Sequence, residues 1–140
     1  MADAKKIVRQ VIEEPWKGNW DVIDEFVAPA YVGFDPSLPE PIRGPDGAKA
    51  NLRMYLDAFT GAQIKVDDQF AEGDKVATRW TGRGTHTGEI QGIAPTGKEV
   101  TVSGLTISRL EGDKIVEEWT NWDTLGMLVQ LGAVPAPARA

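Results

Sequence analysis

Near residue 60 the hydrophobic pattern changes its period, and that change restricts the fold more than any other feature of the chain. Before it, apolar residues recur at helical spacing. Ile7, Val8, Val11 and Ile12 form one stripe in the segment Ala2 to Glu14, which Pro15 ends. Asp21 is placed to cap a short second helix, DVIDEFV, that stops at Pro29. A third helix is predicted from about Ala48 to Phe59, with Leu52, Tyr55, Leu56 and Phe59 as its stripe. Between them, YVGFDPSLPEPIRGPDG reads as a loop with a short strand at Tyr31 to Phe34. After the change the period is two. IKVDDQFAEGDKVATRWTGRGTH reads as two strands joined at Glu72-Gly73-Asp74. VTVSGLTISRL and the strand after it are two more, joined at Glu111-Gly112-Asp113. A short helix, TLGMLVQLG, closes the pattern, and the tail from residue 133 is expected to be disordered. Helices followed by hairpin-linked strands specify an α+β fold. The expected architecture is a curved antiparallel sheet wrapped around the early helices, with a pocket left at its wide end.

At 140 residues the chain is expected to form one domain with its own core. It contains no cysteine and a single histidine, His86, which excludes disulfides, thiolate sites and a multi-histidine metal site within one chain. A net charge of −6 with no Lys/Arg run argues against nucleic acid as a partner. The N-terminus lacks a continuous apolar region and no segment has the length of a membrane span, so a soluble cytoplasmic protein is expected. No phosphate-cradling glycine pattern occurs, and no nucleotide is implied.

The stretch GDKIVEEWTNWDTLGMLVQLG carries the most chemistry. Read with period two, Ile115, Glu117, Trp119, Asn121 and Asp123 share one face of a strand, and Val116, Glu118, Thr120 and Trp122 share the other. The first set runs from apolar to aromatic to amide and carboxylate. It has the make-up of a pocket wall that is greasy at one end and titratable at the other. Asp123 also stands where the N-cap of the final helix belongs, so two roles compete for it.

Three stretches together resemble the SnoaL-like polyketide (ester) cyclase family of the cone-shaped NTF2-like superfamily: YVGFDP near Tyr31, GTHTGEIQGIAPTGKEV from Gly84, and SRLEGDKIVEEWTNWDTLGMLVQLG from Ser108. The likeness spans roughly Lys6 to Gly132. It implies a cofactor-free pocket inside the cone, in which a carboxylate serves as acid and base for intramolecular aldol closure of a polyketide-like ester. Asp123 is the position that matches that carboxylate. The family's second polar residue, a histidine on the preceding long strand, has no counterpart in VTVSGLTISRL, where Thr106, Ser108 and Arg109 stand. The resemblance also implies a homodimer formed through the outer face of the sheet.

On this reading Asp123 is the catalytic residue, with Asn121 as a hydrogen-bond donor to the carbonyl oxygen and His86 as a further titratable group. A carboxylate against an apolar wall of Trp119, Trp80 or Leu105 resists ionisation, because desolvation disfavours its charge, and can then accept and return a proton. His86 has a second reading, as a hydrogen-bonded loop residue that fixes GTHTG. Trp119, Trp80, Phe34, Tyr55, Phe59 and Thr106 are the candidate substrate contacts, around a small hydrophobic molecule bearing a carbonyl. Asp35 is read as turn chemistry before Pro36. Arg79 and Arg83 belong on the face opposite Trp80, either solvated or at a subunit interface. Three alternatives remain open: an isomerase, an epoxide hydrolase, and a small-molecule binding protein without turnover.

Overall fold

In the computed structural model, residues 3–135 are described. They form four helices and a six-stranded sheet. Helix α1 (Ala4–Glu13) is capped by Asp3, whose carboxylate accepts from the Lys5 amide at 2.9 Å. It runs into a 3-10 turn through Pro15. Helix α2 (Asp21–Phe26) begins with Asp21 in its first turn, and no side chain caps it. Strands β1 (Val27–Phe34) and β2 (Ile42–Arg43) follow. Helix α3 (Gly44–Ala58) starts four residues before the predicted point. GPDG, read above as loop, is its first turn, with proline at a position where no amide donor is needed.

The long strands are β3 (Phe59–Glu72), β4 (Lys75–His86), β5 (Glu99–Glu111) and β6 (Lys114–Trp122), with helix α4 (Thr124–Gln130) closing the chain. The tight links at Gly73 and Gly112 both use positive φ, which glycine adopts without strain. Strand order is β2-β1-β6-β5-β4-β3. The α+β fold holds, with one correction: the sheet is mixed, because β1 pairs parallel with β6. β1 is also longer than the short strand expected. Pro29 lies inside it, in the stretch between Val27 and Val32 where the register shifts. Of the tail from residue 133, residues 136–140 lie outside the described residues.

The main core joins Ile7 and Val8 of α1, Val22 and Ile23 of α2, and Leu52 of α3 to Val76, Leu110 and Ile115 on the sheet. A second cluster, Ala58, Phe59, Ile90, Val100, Met127 and Leu131, closes the other end beneath α4.

A bulge on β6 decides which side chains face inward. Leu110 pairs with Ile115, but the next residue back on β5, Arg109, pairs with Glu117. Val116 is the extra residue. Ile115 points into the core, and beyond the bulge the alternation is inverted, so Glu118, Thr120 and Trp122 face inward. The expected wall of Glu117, Trp119, Asn121 and Asp123 therefore lies on the outer side of the sheet.

Candidate active site

Between the helices and the concave face of the sheet lies a cavity of about 220 Å³. Its walls are mainly apolar: Trp16, Phe59, Ile64, Trp80, Val102, Trp122 and Met127 all line it. Asn51, Gln63, Thr120 and Arg83, the last expected on the face opposite Trp80, also border it, and two hydrogen-bonded polar clusters interrupt the apolar walls.

The first is centred on Glu118. Its two oxygens accept from the Tyr31 hydroxyl at 2.8 Å and the Ser108 hydroxyl at 2.6 Å. Tyr31 reaches it because β1 lies beside β6, with Gly33 registered against Glu118, and Gly33 leaves the space that the Tyr31 ring fills. Ser108 stands directly opposite Glu118 on β5. Desolvation raises the Glu118 pKa above the usual carboxylate value, against the lowering effect of both hydrogen bonds. Burial, and then the Glu118 charge, push the Tyr31 phenol well above its ordinary value.

The second cluster joins Asp35, Ser37, Trp122 and Tyr55. One Asp35 oxygen accepts from the Ser37 amide at 2.8 Å and the Ser37 hydroxyl at 2.7 Å, which is the turn chemistry expected before Pro36. The other accepts from the Trp122 indole at 3.1 Å. Tyr55 packs edge-on against Trp122, with centroids 6.1 Å apart. Its hydroxyl has no hydrogen-bond partner among the described residues. Burial, and then the Asp35 charge, push its pKa up to about 12, while the nearby Ser37 side chain acts in the opposite sense.

Of the candidate substrate contacts, Trp80, Tyr55 and Phe59 line the cavity. Phe34 borders it, but its ring stacks on Trp119 at 6.2 Å on the outer face, so Trp119 is not a wall residue. Thr106 sits behind the wall and reaches it through Thr120. Asp123 and Asn121 are exposed and do not line the cavity. Asp123 caps α4, accepting from the Gly126 amide at 2.8 Å. The bulge at Val116 is the physical reason both point away from the cavity.

His86 is buried against Phe59, with centroids 5.4 Å apart, and outside the lining. Its Nδ1 accepts from the Thr96 amide at 3.2 Å and lies 3.0 Å from the Thr96 hydroxyl, so it pins the loop between β4 and β5. Among the described residues no three His, Asp or Glu side chains converge on a metal-sized site. No helix among them is long and apolar enough to cross a membrane. Sequence reasoning missed Glu118 and Tyr31 as cavity residues. The trace of the bulge is the adjacent apolar pair Ile115-Val116 followed by two glutamates, where strict alternation fails.

The fold and this sequence have relatives. A structure from Jannaschia sp. CCS1, described as a candidate SnoaL-like polyketide cyclase, superposes with a TM-score of 0.84 at 24% identity, over 94% of this chain and 93% of that one. At that identity it supports the fold alone. IdmH, a candidate polyketide cyclase from Streptomyces antibioticus, is 31% identical with a TM-score of 0.81, over 94% of this chain and 99% of that one. AclR, a candidate hydroxylase from Streptomyces galilaeus, is 28% identical with a TM-score of 0.83, over 99% and 87% of the two chains. No curated protein sequence matches significantly. The sequence profile of the SnoaL-like polyketide cyclases matches residues 6–131, nearly the whole chain, and the protein therefore belongs to that family.

Proposed function

We propose that this chain is a cofactor-independent cyclase-type enzyme that closes a ring in a polyketide-like carbonyl substrate by intramolecular aldol addition, with Glu118 as acid and base. The observation that carries this reading is a carboxyl enclosed in an apolar cavity between Tyr31 and Ser108, its pKa raised by desolvation. As a carboxylate, Glu118 takes a proton from the carbon between two carbonyls, and the C–H electron pair passes into the enolate. The enolate carbon attacks a second carbonyl carbon that the cavity has folded against it, and a C–C bond forms. The carbonyl's π pair moves to oxygen, which takes the proton back from Glu118. Protons and electrons balance with no co-reactant.

Solvent exchange tests the base without the native substrate. Incorporation of deuterium at the activated methylene of an aryl β-ketoester, followed by proton NMR, should exceed the uncatalysed rate. The excess is expected to fall by about a hundredfold or more in Glu118→Gln and to persist in Asp123→Asn. Exchange that survives E118Q and is lost in D123N would return the role to Asp123. A second reading, a binding protein without turnover, is favoured by the protein donors already on both Glu118 oxygens. It predicts ligand binding with no exchange above the uncatalysed rate.

The outer face of the sheet supports a second copy as partner. Phe34, Trp119, Ile107, Ala77 and Phe70 are register partners in one row across five strands. Phe34, Ile107 and Phe70 are exposed. A two-fold axis through such a row lays it against itself.

A further inference from the structure

The Thr120 hydroxyl belongs to a hydrogen-bond chain whose direction can be assigned. The Trp80 indole lies 3.1 Å from the Thr106 hydroxyl, and the Thr106 and Thr120 hydroxyls lie 2.9 Å apart. An indole N–H only donates, so Thr106 accepts from Trp80. Thr106 is 5% exposed, and among the described residues Thr120 is the one acceptor its own proton has. Were Thr120 to donate to Thr106 instead, the Thr106 proton would be buried and unpaired, which is unfavourable. The chain therefore runs from Trp80 to Thr106 to Thr120, and the Thr120 proton is left for a further acceptor.

Thr120 lines the cavity, and so does Glu118, two residues earlier on the same face of β6. That spacing is about 7 Å along a strand, comparable with the path from a donor hydroxyl across its hydrogen bond to a carbonyl oxygen and on through the α-carbon to a base. Trp80 is held in place for the relay: its ring occupies the space where a side chain at Gly104, its register partner on β5, would stand. We propose that Thr120 is the residue that donates a hydrogen bond to the ligand's carbonyl oxygen, oriented for this by the Trp80–Thr106 relay. The assignment names the ligand class as a neutral ketone or ester with its oxygen at Thr120 and its α-carbon toward Glu118. It rests on the reading of this cavity as the substrate site. In the enolisation step the oxygen gains charge, and the Thr120 hydrogen bond strengthens as it does so.

The test is a binding measurement with 2-acetonaphthone carrying ¹³C at the carbonyl, and naphthalene as the control lacking oxygen. In the wild-type complex the carbonyl carbon resonance is expected downfield of its position in the Thr120→Val complex, with Thr120→Ser restoring it. Thr120→Val should weaken acetonaphthone binding about fivefold without weakening naphthalene binding. Thr106→Val, which removes the relay from behind the wall, should lose part of the downfield displacement. Should the valine variant not fold, Thr120→Ala reads the same loss. A bound resonance and affinity unmoved by T120V overturn the assignment while leaving the cavity as the site. A displacement unmoved by T106V overturns the relay. If neither probe binds the wild-type protein, the cavity reading itself falls, and this assignment with it.

Discussion

Enclosing the Glu118 carboxyl raises its pKa because desolvation outweighs the hydrogen bonds from Ser108 and Tyr31. Linkage gives the sign of the effect on stability. As pH rises past about 4.5, the ordinary value, the unfolded chain releases this proton while the folded chain keeps it. Stability is therefore lost as pH climbs through the folded pKa and is fully present below the unfolded one. The stability advantage of the wild type over E118Q is expected to shrink between pH 4 and pH 7, read as the difference in urea midpoints.

Strand β6 and helix α4 divide the carboxylates of one short segment between two roles. Asp123 works as a cap, so Asp123→Ala should cost about 1 kcal/mol of stability, whereas Asp123→Asn should stay within a few tenths, since asparagine caps equally well. Denaturant midpoints of the two variants check this. The same elements show what sequence reading reaches. The four long strands and the two glycine turns were legible because alternation and punctuation are local signals, but β3 begins at Phe59, expected as the last residue of the helical stripe, five residues before the strand was expected to start. The start of α3 was not: GPDG carries the composition of a loop, and only packing of the following turns makes it a helix end. The inward face of β6 was also misassigned. Inserting one residue leaves both halves of a strand looking regular, while every side chain beyond it changes sides. Asp123 was chosen by extending a correct pattern from Ile115 through that slip. Tyr31 was out of reach for another reason, since nothing in its neighbourhood announces a partner 87 residues away.

At the scale of the whole molecule, the inverted alternation also gives the sheet its outer surface. It sends Trp119 outward to meet Phe34 and Ile107, and the Arg109–Glu117 pair, 2.7 Å apart, flanks the row on one side. A lysine in the middle of a self-complementary apolar row would bring like charges together across a two-fold axis. Ile107→Lys is therefore expected to convert a dimer to monomer in sedimentation velocity, with the far-ultraviolet spectrum unchanged. A wild-type protein that sediments as a monomer would remove this proposal.

The parallel pairing of β1 with β6 has a consequence for synthesis. β3, β4 and β5 are sequence neighbours and can zip together as they emerge from the ribosome, but β1 must wait for a strand whose Glu118 is made 87 residues after Tyr31. Until then the stripes of the early helices have no complete surface to cover, and the growing chain is exposed to aggregation. Tyr31 meets Glu118 only when that last strand arrives. The pair proposed above as the catalytic centre is thus among the last parts to be assembled, and a truncated or stalled chain carries its residues without their arrangement.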